Sequence, residues 1–249
     1  MLSHRIIAGS YLANSDAMFG VSPFAMAQTT NIYGEFGITN RLGGIVYSPI
    51  LTIGRQEEGM DEFGRFHLAD EAVGLGDIDL ALQYQILDGK YKLSGSVWLG
   101  INSGDYNAGR YGVIHLGDGD FNQMGRVDLS SSFKSFWWNT YGAFNNRTND
   151  FSDEIRFGGE FGWRSNRLSA IAKVDAKFSM FNGSRSDSHS PSIYSNNQEY
   201  FAISPQVLYE FHNHVGVMAE AGFAVHSRNI IAAPSISLGV FFNLKDDKK

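Results

Sequence analysis

Apolar and polar residues alternate with a period of two along most of the chain. Between Asp77 and Ile86, the residues Ile78, Leu80, Leu82, Tyr84 and Ile86 share one face, and Asp77, Asp79, Ala81, Gln83 and Gln85 share the other. This spacing predicts a β-strand whose two faces meet different surroundings. After Leu87-Asp88-Gly89-Lys90 the pattern restarts. Tyr91, Leu93, Gly95, Val97, Leu99 and Ile101 now oppose Lys92, Ser94, Ser96, Trp98 and Gly100. Two such runs joined by a turn containing Asp-Gly predict a hairpin. A second hairpin is predicted around Ser165-Asn166-Arg167. Ile155, Phe157, Gly159, Phe161 and Trp163 face away from Arg156, Gly158, Glu160, Gly162 and Arg164. Then Leu168, Ala170, Ala172, Val174, Ala176 and Phe178 oppose Ser169, Ile171, Lys173, Asp175 and Lys177.

Weaker runs of the same kind complete a set of twelve predicted strands, near 3–12, 27–38, 43–53, 75–86, 91–101, 119–131, 135–146, 154–164, 168–178, 199–211, 215–226 and 230–244. Their connections alternate in length. Short turns fall at Thr39-Asn40-Arg41, 87–90, Phe133-Lys134, 165–167 and His212-Asn213-His214. Longer loops fall at 13–26, 54–74, 102–118 and 179–198, while those near 147–153 and 227–229 are short. Such alternation predicts an all-β fold: one up-and-down antiparallel transmembrane barrel spanning 1–249, with short periplasmic turns and longer extracellular loops. An even strand count puts both termini on the short-turn, periplasmic side. No helical stretch is long enough for a βαβ unit.

A soluble sandwich or lipocalin-like barrel alternates in the same way with its apolar face inward, so alternation alone leaves both open. The aromatics favour the membrane. Phe36, Tyr84, Tyr91, Phe136, Trp138, Trp163, Phe211 and Phe242 lie on apolar faces near the short-turn ends. Phe121, Phe144, Phe178, Phe201 and Phe223 do so near the long-loop ends. Two aromatic rings around an aliphatic band match the girdles of a membrane barrel. The opposite face carries both charge signs: Glu35, Asp77, Asp79, Arg126, Asp128, Arg156, Glu160, Arg164, Lys173, Asp175, Lys177, Glu210 and Glu220. These are the candidate lumen-lining residues, expected to form ion-pair ladders in a narrow wet interior. Pro49, Pro205 and Pro234 fall inside predicted strands, where each removes a ladder donor. Bulges accommodate prolines, but a shifted strand boundary is the simpler expectation.

Composition narrows the picture further. The chain has 249 residues and a net charge of −6, which argues against nucleic acid as a partner. It has no Cys, hence no disulfide, thiolate nucleophile or Cys-ligated metal. No run approaches 18 apolar residues, which excludes a transmembrane helix but not barrel strands. Residues 1–10 lack the apolar core of a secretory signal. An outer-membrane protein is exported with one, so either this is a processed or trimmed form or the membrane reading fails.

Candidate chemistry is sparse. None of the seven histidines has a Ser nucleophile nearby in a recognisable context, and no enzymatic activity, cofactor or metal is expected. His212-x-His214 supplies two ligands at most and reads as a polar turn. Gly117-Asp118-Gly119-Asp120 fits no Ca²⁺-loop spacing and reads as a tight turn before a strand. The loop 179–198, with Ser184, Ser186, Ser188, Ser190, Ser195, Asn196 and Asn197, reads as a surface loop.

Two resemblances add to this reading. The last run, Ser237-Leu238-Gly239-Val240-Phe241-Phe242-Asn243-Leu244, resembles the closing-strand signal that hands outer-membrane barrels to their assembly machinery, with Ser237, Gly239, Phe242 and Leu244 as its marks. The segment Gly74-Leu75-Gly76-Asp77-Ile78-Asp79-Leu80-Ala81-Leu82-Gln83-Tyr84-Gln85 resembles the Gly-x-Gly-Asp-x-x-Leu-x-x-x-Tyr strand of the meta-pathway phenol-degradation type outer-membrane proteins. So do the stretches 31–42, 117–121 and 234–242. That family is distantly similar to fatty-acid transporter barrels. The resemblance implies a barrel and suggests transport, but carries no site residues.

The expected function is therefore a passive outer-membrane channel or facilitator for small or hydrophobic molecules. The alternatives are a non-conducting structural subunit of a larger outer-membrane assembly and, third, a soluble β binding module. Expected partners are outer-membrane lipid, the barrel-assembly machinery and, on the second reading, other outer-membrane proteins.

Overall fold

The structure is a computed structural model that describes residues 1–12, 24–60, 66–105, 108–111, 114–183, 196–211, 214–231 and 233–243, with residues 9–12 described by backbone alone. Its strands are β1 (Leu2–Leu12), β2 (Phe24–Gly37), β3 (Leu42–Gln56), β4 (Gly59–Met60), β5 (Phe66–His67), β6 (Asp70–Gly74), β7 (Ile78–Leu87), β8 (Tyr91–Ile101), β9 (Asn122–Phe133), β10 (Phe136–Arg147), β11 (Glu154–Ser165), β12 (Leu168–Ser179), β13 (Glu199–Glu210), β14 (Val215–Arg228), β15 (Ile230–Ile231) and β16 (Ser235–Phe242). Pairing is antiparallel throughout, in the order β2-β3-β7-β8-β9-β10-β11-β12-β13-β14-β16-β1, with β6 also on β3 and β15 also on β1, and β1 pairs with both β2 and β16, which closes the sheet. The sheet has fourteen segments. β6 with β7, and β15 with β16, are halves of single strands, leaving a twelve-stranded barrel. β4 and β5 form a separate small hairpin in the loop between β3 and β6.

Closure removes the exposed edges that a sheet would otherwise present, and each of the twelve barrel strands hydrogen-bonds on both sides. A strand of 12 residues, such as β9, is about 40 Å long at about 3.3 Å per residue. Tilted by about 40°, it spans ~30 Å, the thickness of a bilayer's hydrocarbon core.

Burial is inverted relative to a soluble protein. Val97, Val127 and Leu82 are exposed on the outer face at 61%, 54% and 58%, whereas Asp128, Gln206 and Glu220 are 5%, 6% and 9% exposed inside. In water, so much exposed Leu, Val and Phe would be costly, at about 25 cal/mol per Å² of apolar surface. In lipid it costs nothing, and it is the polar groups that must turn inward. The aromatics expected at the two rims stand on this outer face. They also touch one another: Phe136 stacks on Phe161 at 5.7 Å, Phe157 on Phe178 at 5.3 Å, and Tyr91 lies 6.5 Å from Trp138.

The prolines stay in or beside the strands, contrary to the expectation of shifted boundaries. Asn31 pairs with Pro49 and Thr30 with Leu51, so Ile50 is an extra, bulged residue in β3. On the other side of Pro49 the neighbouring strand is broken between β6 and β7. There Gly76 N–H donates to the Pro49 carbonyl at 2.9 Å. Pro205 pairs with Ala172 on β12, but Ser204 and Pro205 have no ladder partner on β14. Pro234 lies in the break between β15 and β16. Each missing N–H thus falls where the ladder is already interrupted.

The loop expected at 54–74 is shorter than its sequence suggested. β3 runs on to Gln56, and Asp70–Gly74 pairs with its last turn of strand, Gln56 opposite Asp70 and Thr52 opposite Gly74. In the loop expected at 102–118, Asp118-Gly119-Asp120 forms the predicted tight turn. Asp120 N–H donates to Asp118 Oδ1 at 2.9 Å, and Gly119 takes φ 69°, a left-handed value that any Cβ would strain.

Candidate functional site

The barrel encloses a cavity of about 750 Å³ whose lining, among the described residues, holds six cations and six carboxylates. The cations are Arg5, Arg126, Arg147, Arg156, Lys173 and Lys177. The carboxylates are Asp77, Asp79, Asp118, Glu154, Asp175 and Glu220. Eight of the thirteen sequence candidates line it: Asp77, Asp79, Arg126, Arg156, Lys173, Asp175, Lys177 and Glu220. Asp128 lies beside it, held by Arg126. Glu35, Glu160, Arg164 and Glu210 share the inner face but lie toward the short-turn end, outside the cavity lining. Arg164 pairs there with Glu210 at 2.7 Å, and Trp137 Nε1 donates to Glu160 at 3.2 Å.

At the waist, one cluster centres on Glu220 of β14. Arg5 from β1 and Lys173 from β12 each approach its carboxylate at 2.9 Å, and Gln206 donates at 3.0 Å. Lys173 stands directly opposite Glu160 in register, yet reaches past β13 to Glu220. The simple ladder of neighbouring-strand ion pairs is therefore absent at this point. A second cluster lies on β9 and β10. Arg126 grips Asp128 with two bonds of 2.9 and 2.6 Å, and its guanidinium sits 3.8 Å from the centre of the Tyr141 ring. Tyr141 and Tyr200 both donate their hydroxyls to Asp175. Two inward rings cover glycines on the neighbouring strand. Tyr141 lies over Gly158 and Trp137 over Gly162, where a Cβ would collide with the ring.

The loop between β8 and β9 folds against the inner wall at the long-loop end. Ile114 and Leu116 pack on Ala72, over the missing side chains of Gly54 and Gly74. Asp77, in the break between β6 and β7, fastens both legs of this loop. Its carboxylate accepts the backbone N–H of Ser103 at 3.1 Å, Gly104 at 2.9 Å and Asp118 at 2.7 Å.

Beside the loop, Arg147 at the end of β10 is only 5% exposed and bridges three carboxylates: Asp118 at 2.9 Å, Asp120 at 3.1 Å and Glu154 at 3.1 Å. It also stacks on Phe151 at 4.2 Å. Glu154 in turn holds Arg156 and Lys177. Burial pushes the Asp120 carboxyl up from its ordinary value, against the Thr148 hydrogen bonds and the Arg147 charge that lower it.

Neighbouring loops are tied in by amides. Ser152 N–H donates to Asn196 Oδ1 at 3.1 Å, and Asn229 Nδ2 donates to the carbonyls of Asn196 and Asn197. Asn196 is fully buried, so this end of the loop 179–198 is structural, not a solvated surface segment. Ser184, Ser186, Ser188, Ser190 and Ser195 lie outside the described residues.

Several important groups escaped the sequence reading: Arg5, Tyr47, Arg147, Glu154 and Tyr200. Continuing the period of two outward from Arg156 reaches Glu154, and from Ala143 it reaches Asn145 and Arg147. The signal existed at the strand ends, where ladders give way to loops. His214 approaches Glu210 at 3.6 Å, while His212 lies outside the described residues, as does Leu244 of the closing strand. In that strand Ser237 points inward and accepts from Arg5 Nε at 3.1 Å. Phe242 is exposed outward, and a side chain at Gly239 would meet the Leu2 carbonyl at 2.7 Å.

No protein-family model matches the chain, and no curated protein matches it. Solved structures do match it. An outer membrane channel from Pseudomonas putida F1 is similar with a TM-score of 0.59 at 13% identity, covering 96% of this chain and 94% of that one. The NanC porin gives 0.57 at 12% identity, covering 98% and 100%. The beta domain of a Bordetella autotransporter gives 0.52 at 11% identity, covering 98% of each chain. At such identities the likeness is one of fold, that of an outer-membrane β-barrel.

Proposed function

We propose that this protein is an outer-membrane channel through which small molecules pass along the lumen, admitted past the inward loop at the long-loop end. The observation that carries this reading is a charge-lined cavity of about 750 Å³ inside a closed barrel whose outer face is apolar. Two of the solved structures of similar fold bear the names porin and outer membrane channel, which supports the same reading. On this reading the inner-face charges set selectivity, and no catalytic role is assigned to any residue. The start of β1 and the end of β16 lie together at the short-turn end, which on this reading faces the periplasm, and the last strand is the segment read by the assembly machinery. The resemblance of residues 74–85 to the meta-pathway phenol-degradation type proteins favours molecules with an apolar body.

The full chain, folded in detergent and placed in a planar bilayer, tests the proposal. Discrete single-channel steps are expected. A barrel shown to be folded by its heat-dependent gel mobility, yet giving neither conductance nor solute uptake in liposomes, overturns it. A second reading has its own observation. The clusters around Glu220 and Arg126 commit the charges of the waist to one another, as in a closed structural barrel that serves a larger outer-membrane assembly. Stoichiometric recovery of a partner from native membranes, together with absent conductance, would favour that reading.

A further inference from the structure

The charges of the lumen are almost all committed to one another. Glu220 holds Arg5 and Lys173, Asp128 holds Arg126, and Glu154 shares Arg147, Arg156 and Lys177. Asp118 is bound to Arg147, Asp77 accepts three backbone N–H groups, and Asp175 accepts two phenols. Asp79 differs: its carboxylate accepts no hydrogen bond and makes no ion pair among the described residues. The charged groups that act on it are Arg156, Lys177 and Asp118. Both of those cations are already bonded to Glu154. In this part of the lining, Asp77, Asp79, Asp118 and Glu154 stand against Arg147, Arg156 and Lys177, four carboxylates to three cations.

Two aromatic residues stand beside Asp79 in the sheet. Tyr47 is its direct cross-strand partner on β3. On β8 its partner is Gly100, and Trp98 is the next inward residue along that strand. Directly opposed Cβ atoms lie about 5 Å apart and diagonal neighbours about 7–8 Å apart, within reach of long aromatic side chains. A Cβ at Gly100 would meet Asn122 Cβ at 2.8 Å and Asp79 Oδ1 at 3.0 Å, so glycine there lets the carboxylate lie beside the Asn122 side chain without a clash. Asp79, Tyr47 and Trp98 all line the cavity. The wall continues as apolar surface from Pro49 on β3 to Ala27 on β2, Ile7 on β1 and Ile231 on β15. The last three pack as one cluster.

We propose that Asp79, flanked by Tyr47 and Trp98, forms a subsite for a small organic cation with an apolar body, such as an aromatic or aliphatic amine. The carboxylate supplies the counter-charge and the rings supply cation–π faces, which Trp and Tyr do best. The apolar arc takes the rest of the molecule. This names a substrate class for the proposed channel and rests on that reading only in requiring that solvent reach the lumen.

Isothermal titration of the folded full chain in detergent tests it, with phenyltrimethylammonium and benzoate as probes. The cation should bind at least about tenfold tighter than benzoate, and Asp79→Asn should lose about tenfold of that affinity. Because Asp79 holds no partner among the described residues, this variant breaks no bridge among them; heat-dependent gel mobility checks its folding. Trp98→Leu should lose a few-fold with the carboxylate intact, which keeps the test decisive even where Asp79→Asn does not fold. Equal or tighter binding of benzoate, or unchanged affinity in both variants, overturns the subsite. A barrel that conducts but takes up neither probe also overturns it while sparing the channel. Cation binding that depends on Asp79 in a barrel that never conducts supports the subsite and removes the channel.

Discussion

The barrel wall has two unlike arcs. From β8 through β12 the ladders run without a bulge or break, and they carry Arg126, Asp128, Arg156, Lys173, Asp175 and Lys177 inward at regular spacing. From β13 round through β16 and β1 to β7 the wall is interrupted repeatedly. Ile50 bulges, strand halves part at 75–77 and before Pro234, and the β13–β14 ladder slips between Phe201 and Ala202. The same arc supplies the apolar patch of Ala25, Ala27 and Ile231 and the anchorage of the inward loop. The contrast teaches how a closed sheet divides its labour. Regular ladders hold charges in fixed register. Interruptions free backbone groups and inner surface, which here receive a loop and an apolar wall.

The largest expected effect lies at the end of the regular arc. Arg147→Leu leaves Asp118, Asp120 and Glu154 short of their shared cation in a buried place, which costs about 3–5 kcal/mol. The temperature at which the compact gel band converts to the extended one should fall markedly. An unchanged transition would mean that the regular arc does not depend on this bridge. Next comes the interrupted arc. Asp77→Asn removes a charged acceptor from three backbone donors, on the order of 2 kcal/mol, and should loosen the loop between β8 and β9. On the channel reading, single-channel conductance rises or becomes noisy while the barrel's melting behaviour barely moves.

Hydrogen exchange sharpens the comparison itself. Amides of β9 to β12 should exchange on the order of tenfold more slowly than those flanking Pro49, Pro205 and the break before Pro234. Uniform protection around the barrel would erase the distinction between the arcs.

The smallest expected effect is acid sensitivity of the loops. Burial raises the Asp153 carboxyl, but hydrogen bonds from Arg147 N–H and the amides of Asn182 and Asn146 outweigh it and hold the group below its ordinary value. A depressed folded-state value contributes stability that is complete above the unfolded value of 3.8 and fades as pH falls below it. Proteolysis of the 148–153 and 180–183 segments should therefore increase only under strong acid, and Asp153→Asn should flatten that dependence.

The regular arc was the legible one. Strands expected at 91–101, 154–164 and 168–178 match Tyr91–Ile101, Glu154–Ser165 and Leu168–Ser179 almost residue for residue. There, side chains keep one parity throughout, so the hydrophobic pattern carries the register. In the interrupted arc the parity flips. Tyr47 and Pro49 face inward, and after the bulge at Ile50 it is Thr52 that does, so the strand expected at 43–53 hid its true end at Gln56. The strand expected at 75–86 likewise concealed a break at Asp77, whose carboxylate serves a loop 27 residues away in sequence. The candidate site followed the same division. Charges of β9, β11 and β12 were visible as an alternating face. Arg147 and Glu154 were missed because they stand where the alternation stops, and Arg147's partner Asp118 belongs to a loop whose course no local pattern records.

The absence of Cys makes one measurement especially direct. Single cysteines placed at alternating positions of β8 to β12 can be spin-labelled and probed with oxygen, which partitions into lipid, and with a water-soluble nickel complex. At Val97, Val127 and Val174 the label should meet oxygen, and at Ser96, Met124 and Asn139 it should meet the nickel complex or be shielded from both. A strict period of two in reconstituted liposomes is the predicted result. Water access on the Val97, Val127 and Val174 face, with no lipid signal there, would contradict a membrane barrel enclosing a polar lumen.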